Sequence, residues 1–144
     1  NKESDLFGEL KQLSKKISVI FDSTQKVLAS CNMAIVASGT ATLEAAILAK
    51  PMVVIYKSNK LSNFILSNFF LKTKFISLPN ILSQEKIVFE LRQNQVSGKE
   101  ISEKVELTFK NKEVISDKLS LIRDSLLVTE SNKFSIALRE ILAK

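Results

Sequence analysis

VASGTATLEAAILAKPMVVIY, residues 36–56, is the stretch that decides the fold of this chain of 144 residues. An apolar run ends in Ser-Gly-Thr, a helical pattern follows, and Pro51 separates that pattern from a second apolar run. Short apolar strands that alternate with helices are typical of a parallel sheet with helices on its faces. The stretch therefore predicts a strand–helix–strand unit whose Ser-Gly-Thr turn lies at the carboxyl end of the first strand.

The same alternation continues on both sides of this unit and predicts an α/β fold with a helical carboxy-terminal tail. The predicted strands are residues 17–21, 33–37, 52–56 and 75–78, the last of them closed by Pro79. The predicted helices are residues 5–15, 25–32, 40–50, 61–71, 85–92, 99–110, 112–127 and 131–143. The sequence has no internal repeat and no linker typical of a boundary between two independent domains.

Composition limits the chemistry that the chain can perform. Hydrophobic residues make up 45% of it, enough for a core. Histidine is absent and Cys31 is the only cysteine, which excludes an internal disulfide and an ordinary Cys/His metal site. Histidine is also the commonest general base. Either no acid–base chemistry happens here, or another part of a larger protein supplies the base.

The net charge, 21 − 15 = +6, comes mostly from lysine, because only Arg92, Arg123 and Arg139 are arginines. Arginine is preferred for bidentate recognition of phosphates and guanines, so we expect no nucleic-acid partner. Attraction to an anionic membrane surface fits the lysines equally well. No apolar run approaches the ~20 residues of a membrane span, and a start at Asn1 fits a piece of a longer protein.

The Ser-Gly-Thr turn is the first candidate site. Ligands of open α/β sheets bind at the carboxyl ends of the strands, where Gly39 lets a ligand approach the backbone. The helix start offers free N–H groups, and Ser38, Thr40 and Thr42 add hydroxyl groups. Ser and Thr also begin helices for purely structural reasons. On the motif alone, a phosphate cradle and a simple helix cap are equally good interpretations.

Glu44 extends the phosphate interpretation to a nucleotide. It follows Thr40 by four residues, so both side chains lie on one face of the predicted helix, one turn apart. A carboxylate in that place is able to accept hydrogen bonds from both hydroxyl groups of a ribose. An acidic residue near a helix start also stabilises the helix dipole, and physical reasoning alone does not decide between the two.

Three motifs in order carry a family resemblance. SGTATLEA at residues 38–45, KPMVVIYK at 50–57 and SLPN at 77–80 make the chain resemble the lipid-A-disaccharide synthases from about residue 18 to at least 92, and more loosely through the helical tail. The resemblance implies a GT-B glycosyltransferase, in which two Rossmann-like domains face a cleft. Residues 1–96 would form the UDP-sugar-binding Rossmann-like domain, incomplete at its start, and residues 97–144 a helical extension packed on it or on a partner.

The resemblance also implies a reaction. Such enzymes transfer 2,3-diacylglucosamine from UDP to 2,3-diacylglucosamine 1-phosphate, without a metal or cofactor, and release the lipid A disaccharide and UDP. In this family the reaction takes place at the cytoplasmic face of the inner membrane of Gram-negative bacteria. An amino-terminal domain would be missing here, so we expect no turnover by this chain alone, and the terminal helices would join two copies if the protein is a homodimer. Another GT-B enzyme acting on UDP-GlcNAc and an inactive, truncated donor-binding module stay open as alternatives.

The resemblance assigns roles to individual residues of the predicted donor site. Ser38, Gly39 and Thr40 would hold the UDP diphosphate, and Glu44 the ribose. Asn80 of SLPN would point into the cleft near the transferring sugar, in place of the turn role that asparagine often has.

Four further residues are assigned to the surroundings of that site. Asp22 and Ser23 lie in the loop where such domains hold uracil, although the family often has a Gly-containing turn there. Tyr56 and Lys57 end a predicted strand and would line the cleft, although a solvated surface position is the simpler interpretation of Lys57.

KLSNFILSNFFLK, residues 60–72, is a hydrophobic patch between lysines, too short to span a bilayer. Burial against the core or a missing domain explains one apolar face but not apolar residues around most of the helix. We favour an interfacial helix, since the implied substrates carry acyl chains. Its membrane contacts would be Phe64, Phe69, Phe70, Lys60 and Lys72.

Overall fold

The computed structural model describes Ser18, Ile20, residues 24–57 and residues 74–128. These residues form the following helices and strands. They are α1 (Thr24–Ser30), β1 (Ala34–Ala37), α2 (Thr40–Ile47), β2 (Met52–Tyr56), α3 (Leu78–Ser83), β3 (Phe89–Arg92), a 3-10 turn (Gln93–Gln95), α4 (Gly98–Lys110) and α5 (Lys112–Val128).

The three strands form a parallel sheet in the order β1-β2-β3. In register, Val36 lies beside Val54, and Val54 lies beside Glu90. Side chains of paired residues point to the same face of a sheet, so Glu90 shares its face with two buried valines. The predicted α/β fold, a parallel sheet with flanking helices, is confirmed.

The core lies between one face of the sheet and the helices α2 and α5. Ala45 and Ala46 are almost completely buried, and their small side chains let α2 approach the strands closely. From α5, Ile115, Leu119 and Ile122 project into the same core at the spacing of one helix face. Helices from both halves of the sequence thus bury the sheet that carries the Ser-Gly-Thr turn.

The opposite face of the sheet contacts α4. Val53 and Leu91 are buried on this face, which follows from the two-residue period of a strand. The ring of Phe89 has the ammonium groups of Lys86 and Lys104 at 5.4 and 5.7 Å from its centroid. Ser97 caps α4, since its hydroxyl accepts a hydrogen bond from the N–H of Glu100 at 3.3 Å.

Two of the predicted elements are wrong. Residues 75–77 are not in a strand, and a helix, α3, begins at Leu78 with Pro79 in its first turn. Proline suits that position because the first N–H groups of a helix have no partner within it. The predicted helix 85–92 contains strand β3 instead, in which Glu90 and Arg92 are polar residues on a face expected to be apolar. A pattern of apolar and polar residues over so short a stretch fits both the two-residue period of a strand and the 3.6-residue period of a helix.

The remaining predictions fall into two groups. Strands 33–37 and 52–56 and helices 25–32, 40–50, 99–110 and 112–127 are confirmed with end shifts of a few residues. Helices 5–15, 61–71 and 131–143 lie outside the described residues, as does strand 17–21 apart from Ser18 and Ile20, which are in no regular element. The division of the chain at residue 96 stays a prediction.

Candidate functional site

The Gly39 turn, residues 38–40, joins β1 to α2 at the carboxyl end of the strand. The N–H of Ser38 donates to the carbonyl of Ile55 at 2.9 Å, which extends the pairing of β1 with β2 by one residue. Gly39 then adopts φ 148° and ψ −161° and is the residue before the first turn of α2. A Cβ on Gly39 would meet no atom within 4 Å, so the backbone conformation, not crowding, is what favours glycine here.

The Gly39 turn offers hydrogen-bond donors to a ligand. Gly39 and Thr40 are exposed, and the first N–H groups of a helix have no acceptor within that helix. The helix dipole adds a partial positive charge at the same place. This arrangement favours an anion over a cation, and the phosphate cradle stays a prediction.

The hydroxyl groups of the motif are used in two different ways. Ser38 Oγ donates to the carbonyl of Ile76 at 2.9 Å. Thr42 Oγ1 donates to the carbonyl of Gly39 at 2.7 Å and accepts from the N–H of Leu78 at 3.3 Å. Both side chains therefore hold the Gly39 turn against residues 76–78, which lead into α3. Thr40 is the exposed residue of the three.

Glu44 keeps the position that its spacing predicted. It lies on α2 one turn after Thr40 and is partly exposed. Its side chain is on the same side of the helix as that of Thr40, so a hydrogen-bond acceptor lies one helical turn from the Gly39 turn.

Asn80 does not face an open cleft, which corrects the sequence expectation. Its side chain is 0% exposed. Nδ2 donates to the carbonyl of Val88 and to Glu90 Oε1, both at 2.9 Å, and Oδ1 accepts from the N–H groups of Ile87 and Val88 at 2.8 and 3.0 Å. An asparagine side chain has two donors and two acceptor sites. All four are used inside the protein, so in this structure Asn80 ties α3 to β3.

Glu90 is the residue that the sequence reasoning missed. Its side chain is only 6% exposed, yet Oε1 accepts from the hydroxyl of Ser77 at 2.6 Å, the N–H of Ser77 at 2.9 Å and Asn80 Nδ2 at 2.9 Å. The N–H of Ile76 lies 3.1 Å from both carboxylate oxygens, and Arg92 donates to Oε2 at 3.0 Å. We call Glu90 with these four donor residues the Glu90 cluster.

The electrostatics of the Glu90 cluster favour the ionised carboxylate. Burial taken alone raises the pKa of Glu90, because it removes water from the charged form. Hydrogen bonds from Ser77, Arg92 and Ile76 outweigh that effect and hold the pKa below its ordinary value. The available signal in the sequence was the Glu-x-Arg spacing in IVFELR, residues 87–92, which places both charges on one face of a strand.

Of the other predicted site residues, the structure describes the two at the end of β2 and leaves the rest outside the described ranges. Tyr56 and Lys57 lie at the carboxyl end of β2, where Tyr56 is half-buried and Lys57 is exposed. Asp22, Ser23 and the whole hydrophobic patch, including Phe64, Phe69, Phe70, Lys60 and Lys72, lie outside the described residues. Within the described ranges, no helix has the length and apolar character needed to cross a bilayer.

Comparison with known proteins identifies the family. The family model of lipid-A-disaccharide synthetase matches residues 1–142. The chain belongs to this family. The predicted resemblance is therefore confirmed.

Curated relatives agree with the family match. A lipid-A-disaccharide synthase of Colwellia psychrerythraea is 34% identical over 128 residues, covering 88% of this chain and 32% of the relative. The enzyme of Cellvibrio japonicus is 43% identical over 97 residues, which cover 67% of this chain and 25% of the relative. The enzyme of Hahella chejuensis is 32% identical over 130 residues, which cover 89% of this chain and 33% of the relative. The chain thus spans about a quarter to a third of the length of these relatives.

Proposed function

We propose that this chain forms the donor-binding part of a lipid-A-disaccharide synthase of the GT-B type. The proposed reaction transfers 2,3-diacylglucosamine from UDP to 2,3-diacylglucosamine 1-phosphate. One observation carries the proposal: an exposed glycine turn with φ 148° stands at the carboxyl end of a parallel strand and at the start of α2. Family membership over residues 1–142 supports the choice of reaction.

In the proposed mechanism, the Gly39 turn stabilises the leaving group. As the bond between the sugar and UDP breaks, negative charge grows on the diphosphate, and fixed N–H donors and the helix dipole favour that charge. In other enzymes, the loss of one such donor lowers kcat about 10²–10³-fold. Thr40 would add a hydroxyl donor, and Glu44 would accept hydrogen bonds from the ribose. A second domain would bind the acceptor sugar, and no metal or cofactor is part of the proposal.

The first test is a calorimetric titration of the chain with uridine, UMP and UDP. A phosphate cradle predicts that affinity rises along this series, because each added phosphate meets the donors of the Gly39 turn. We expect Glu44→Ala to weaken UDP binding about tenfold or more, the loss typical of a hydrogen bond to a charged group. The control is Glu113→Ala, an exposed glutamate in the first turn of α5, which should change the affinity by less than about twofold.

Three results would count against this assignment. If UDP binds no more tightly than uridine, the Gly39 turn is not a diphosphate site. If Glu44→Ala and Glu113→Ala bind UDP equally well, Glu44 does not hold the ribose. Absence of any nucleotide binding would remove the donor site from this chain altogether.

We also propose that the protein works at a membrane surface, on the inner face of the inner membrane. The proposed substrates carry acyl chains, and residues 60–72 combine aromatic residues with flanking lysines. In a sedimentation assay with anionic vesicles, Phe69→Glu with Phe70→Glu should abolish most of the binding. Equal binding by this double variant and the parent chain would show that the patch is not the anchor.

A further inference from the structure

The Glu90 cluster and the Gly39 turn are connected through one short segment, residues 76–78. Glu90 accepts hydrogen bonds from the N–H groups of Ile76 and Ser77. The carbonyl of Ile76 in turn accepts from Ser38 Oγ, at the other side of the same residue. Glu90 is therefore two hydrogen bonds away from the Gly39 turn, although the two lie 51 positions apart in the sequence (90 − 39 = 51).

A second route joins the same two places. The N–H of Leu78 donates to Thr42 Oγ1, and Thr42 Oγ1 donates to the carbonyl of Gly39. Thr42 is 0% exposed, so water does not compete for these contacts. A shift of residues 76–78 would thus be transmitted both to Ser38 and to the Gly39 carbonyl.

A carboxylate is required at the centre of this arrangement. An ionised carboxylate only accepts hydrogen bonds, and here five donor groups surround it: two from Ser77 and one each from Ile76, Asn80 and Arg92. Glutamine has nearly the same shape, but its NH₂ group would face N–H donors or the Arg92 guanidinium at either oxygen position. Glu90→Gln therefore disturbs the cluster while leaving the volume of the side chain unchanged.

We propose that Glu90 is a positioning residue that fixes the Gly39 turn, through residues 76–78, in the conformation that binds the donor diphosphate. Glu90 itself touches no ligand in this scheme, because its carboxylate is enclosed by its own donors. The diphosphate part of the inference rests on the proposed function, whereas the coupling between Glu90 and the turn is a property of the chain by itself.

The coupling is tested first without any ligand, by amide hydrogen exchange of the wild-type chain and Glu90→Gln. The informative amides are those of Ser38 and Thr42, which bond to Ile55 and Gly39 and do not touch Glu90. We expect their protection to fall about tenfold or more, the effect of losing hydrogen bonds to a charged group. Leu119, buried in α5, reports global opening and should change less. Equal loss at all three amides would overturn the proposal.

The second measurement is UDP affinity, at a temperature where every variant is folded. Glu90→Gln should weaken UDP binding about tenfold, by the same loss of charged hydrogen bonds. Leu119→Val destabilises the core without removing any hydrogen bond of the Gly39 turn or of residues 76–78, and should leave the affinity within about twofold. Glu85→Gln makes the same chemical change at an exposed ion pair with Lys118, and should also have no effect.

The two measurements separate the two proposals. If wild type does not bind UDP, the proposed function fails for this chain, while hydrogen exchange still decides whether Glu90 fixes the turn. If wild type binds UDP and Glu90→Gln binds it equally well, Glu90 has no role in donor positioning. Should Glu90→Gln fail to fold, Ser77→Ala removes the 2.6 Å contact alone and should change the same amides and the same affinity to a smaller extent.

Discussion

The Gly39 turn and the Glu90 cluster are neighbours that use their polar groups in opposite ways. At the turn, N–H groups and the Thr40 hydroxyl are exposed at a helix start, ready to meet a ligand. In the cluster, a carboxylate and an amide side chain are enclosed and bonded to protein groups on every side. The turn thus leaves donors open to a ligand, whereas the cluster satisfies its polar groups within the protein, and substitutions in the two regions should separate binding from stability.

The largest effect on stability is expected from Asn80→Ala. This change removes four buried hydrogen bonds and leaves the partner groups on residues 87, 88 and 90 unsatisfied. We expect a loss of about 3–5 kcal/mol in the free energy of unfolding, measured by urea denaturation. Asn94→Ala is the control, because Asn94 is exposed in the 3-10 turn. A loss as small as that of the control would show that Asn80 is not a structural residue.

A smaller loss is expected from Gly39→Ala. An alanine would have to adopt φ 148°, a conformation that costs side-chain-bearing residues about 1–3 kcal/mol. Relief of that strain would rotate the N–H groups at the start of α2, so UDP affinity should fall together with stability. Gly98→Ala is a matched control, since Gly98 begins α4 with room for a Cβ and should gain about 0.4–1 kcal/mol. Equal behaviour of the two variants would mean that the turn does not depend on its glycine.

The two regions also differ in how far the sequence predicts them. The turn is local: an apolar strand, Ser-Gly-Thr and a helical pattern follow one another, so β1, α2 and β2 could be predicted from residues 33–56 alone. The cluster is formed by residues from the segment before α3, from α3 and from β3. An apolar run followed by Pro79 predicts the end of a strand, although proline also fits the first turn of a helix. No local pattern indicates the role of Glu90, because apart from Arg92 the donors that stabilise it are 10 to 14 positions away in the sequence.

Lowering the pH should weaken the Glu90 cluster and leave the Gly39 turn without a direct effect. The pKa of Glu90 is below its ordinary value of 4.5, so near that pH the unfolded chain binds more protons at this residue than the folded chain. The stability that Glu90 contributes is therefore complete above pH 4.5 and is lost as the pH falls through the lower, folded-state pKa. Urea unfolding of wild type and Glu90→Gln should differ most at neutral pH, and the difference should shrink in acid. A difference that stays constant into acid would contradict the ionised cluster.

The smallest effect on stability is expected at Thr40, where binding should change alone. Thr40 is exposed and Thr42 is buried, two positions apart on the same helix. Thr40→Val should leave the free energy of unfolding within about 0.5 kcal/mol but weaken UDP binding about tenfold, by the loss of one hydrogen bond to a charged phosphate. Thr42→Val removes the contacts to Gly39 and Leu78 and should cost about 1–3 kcal/mol. If Thr40→Val binds UDP as well as wild type, backbone N–H groups and the helix dipole alone hold the diphosphate. If the two variants lose stability equally, the exposure of the hydroxyl group does not distinguish a residue that meets a ligand from one that positions the turn.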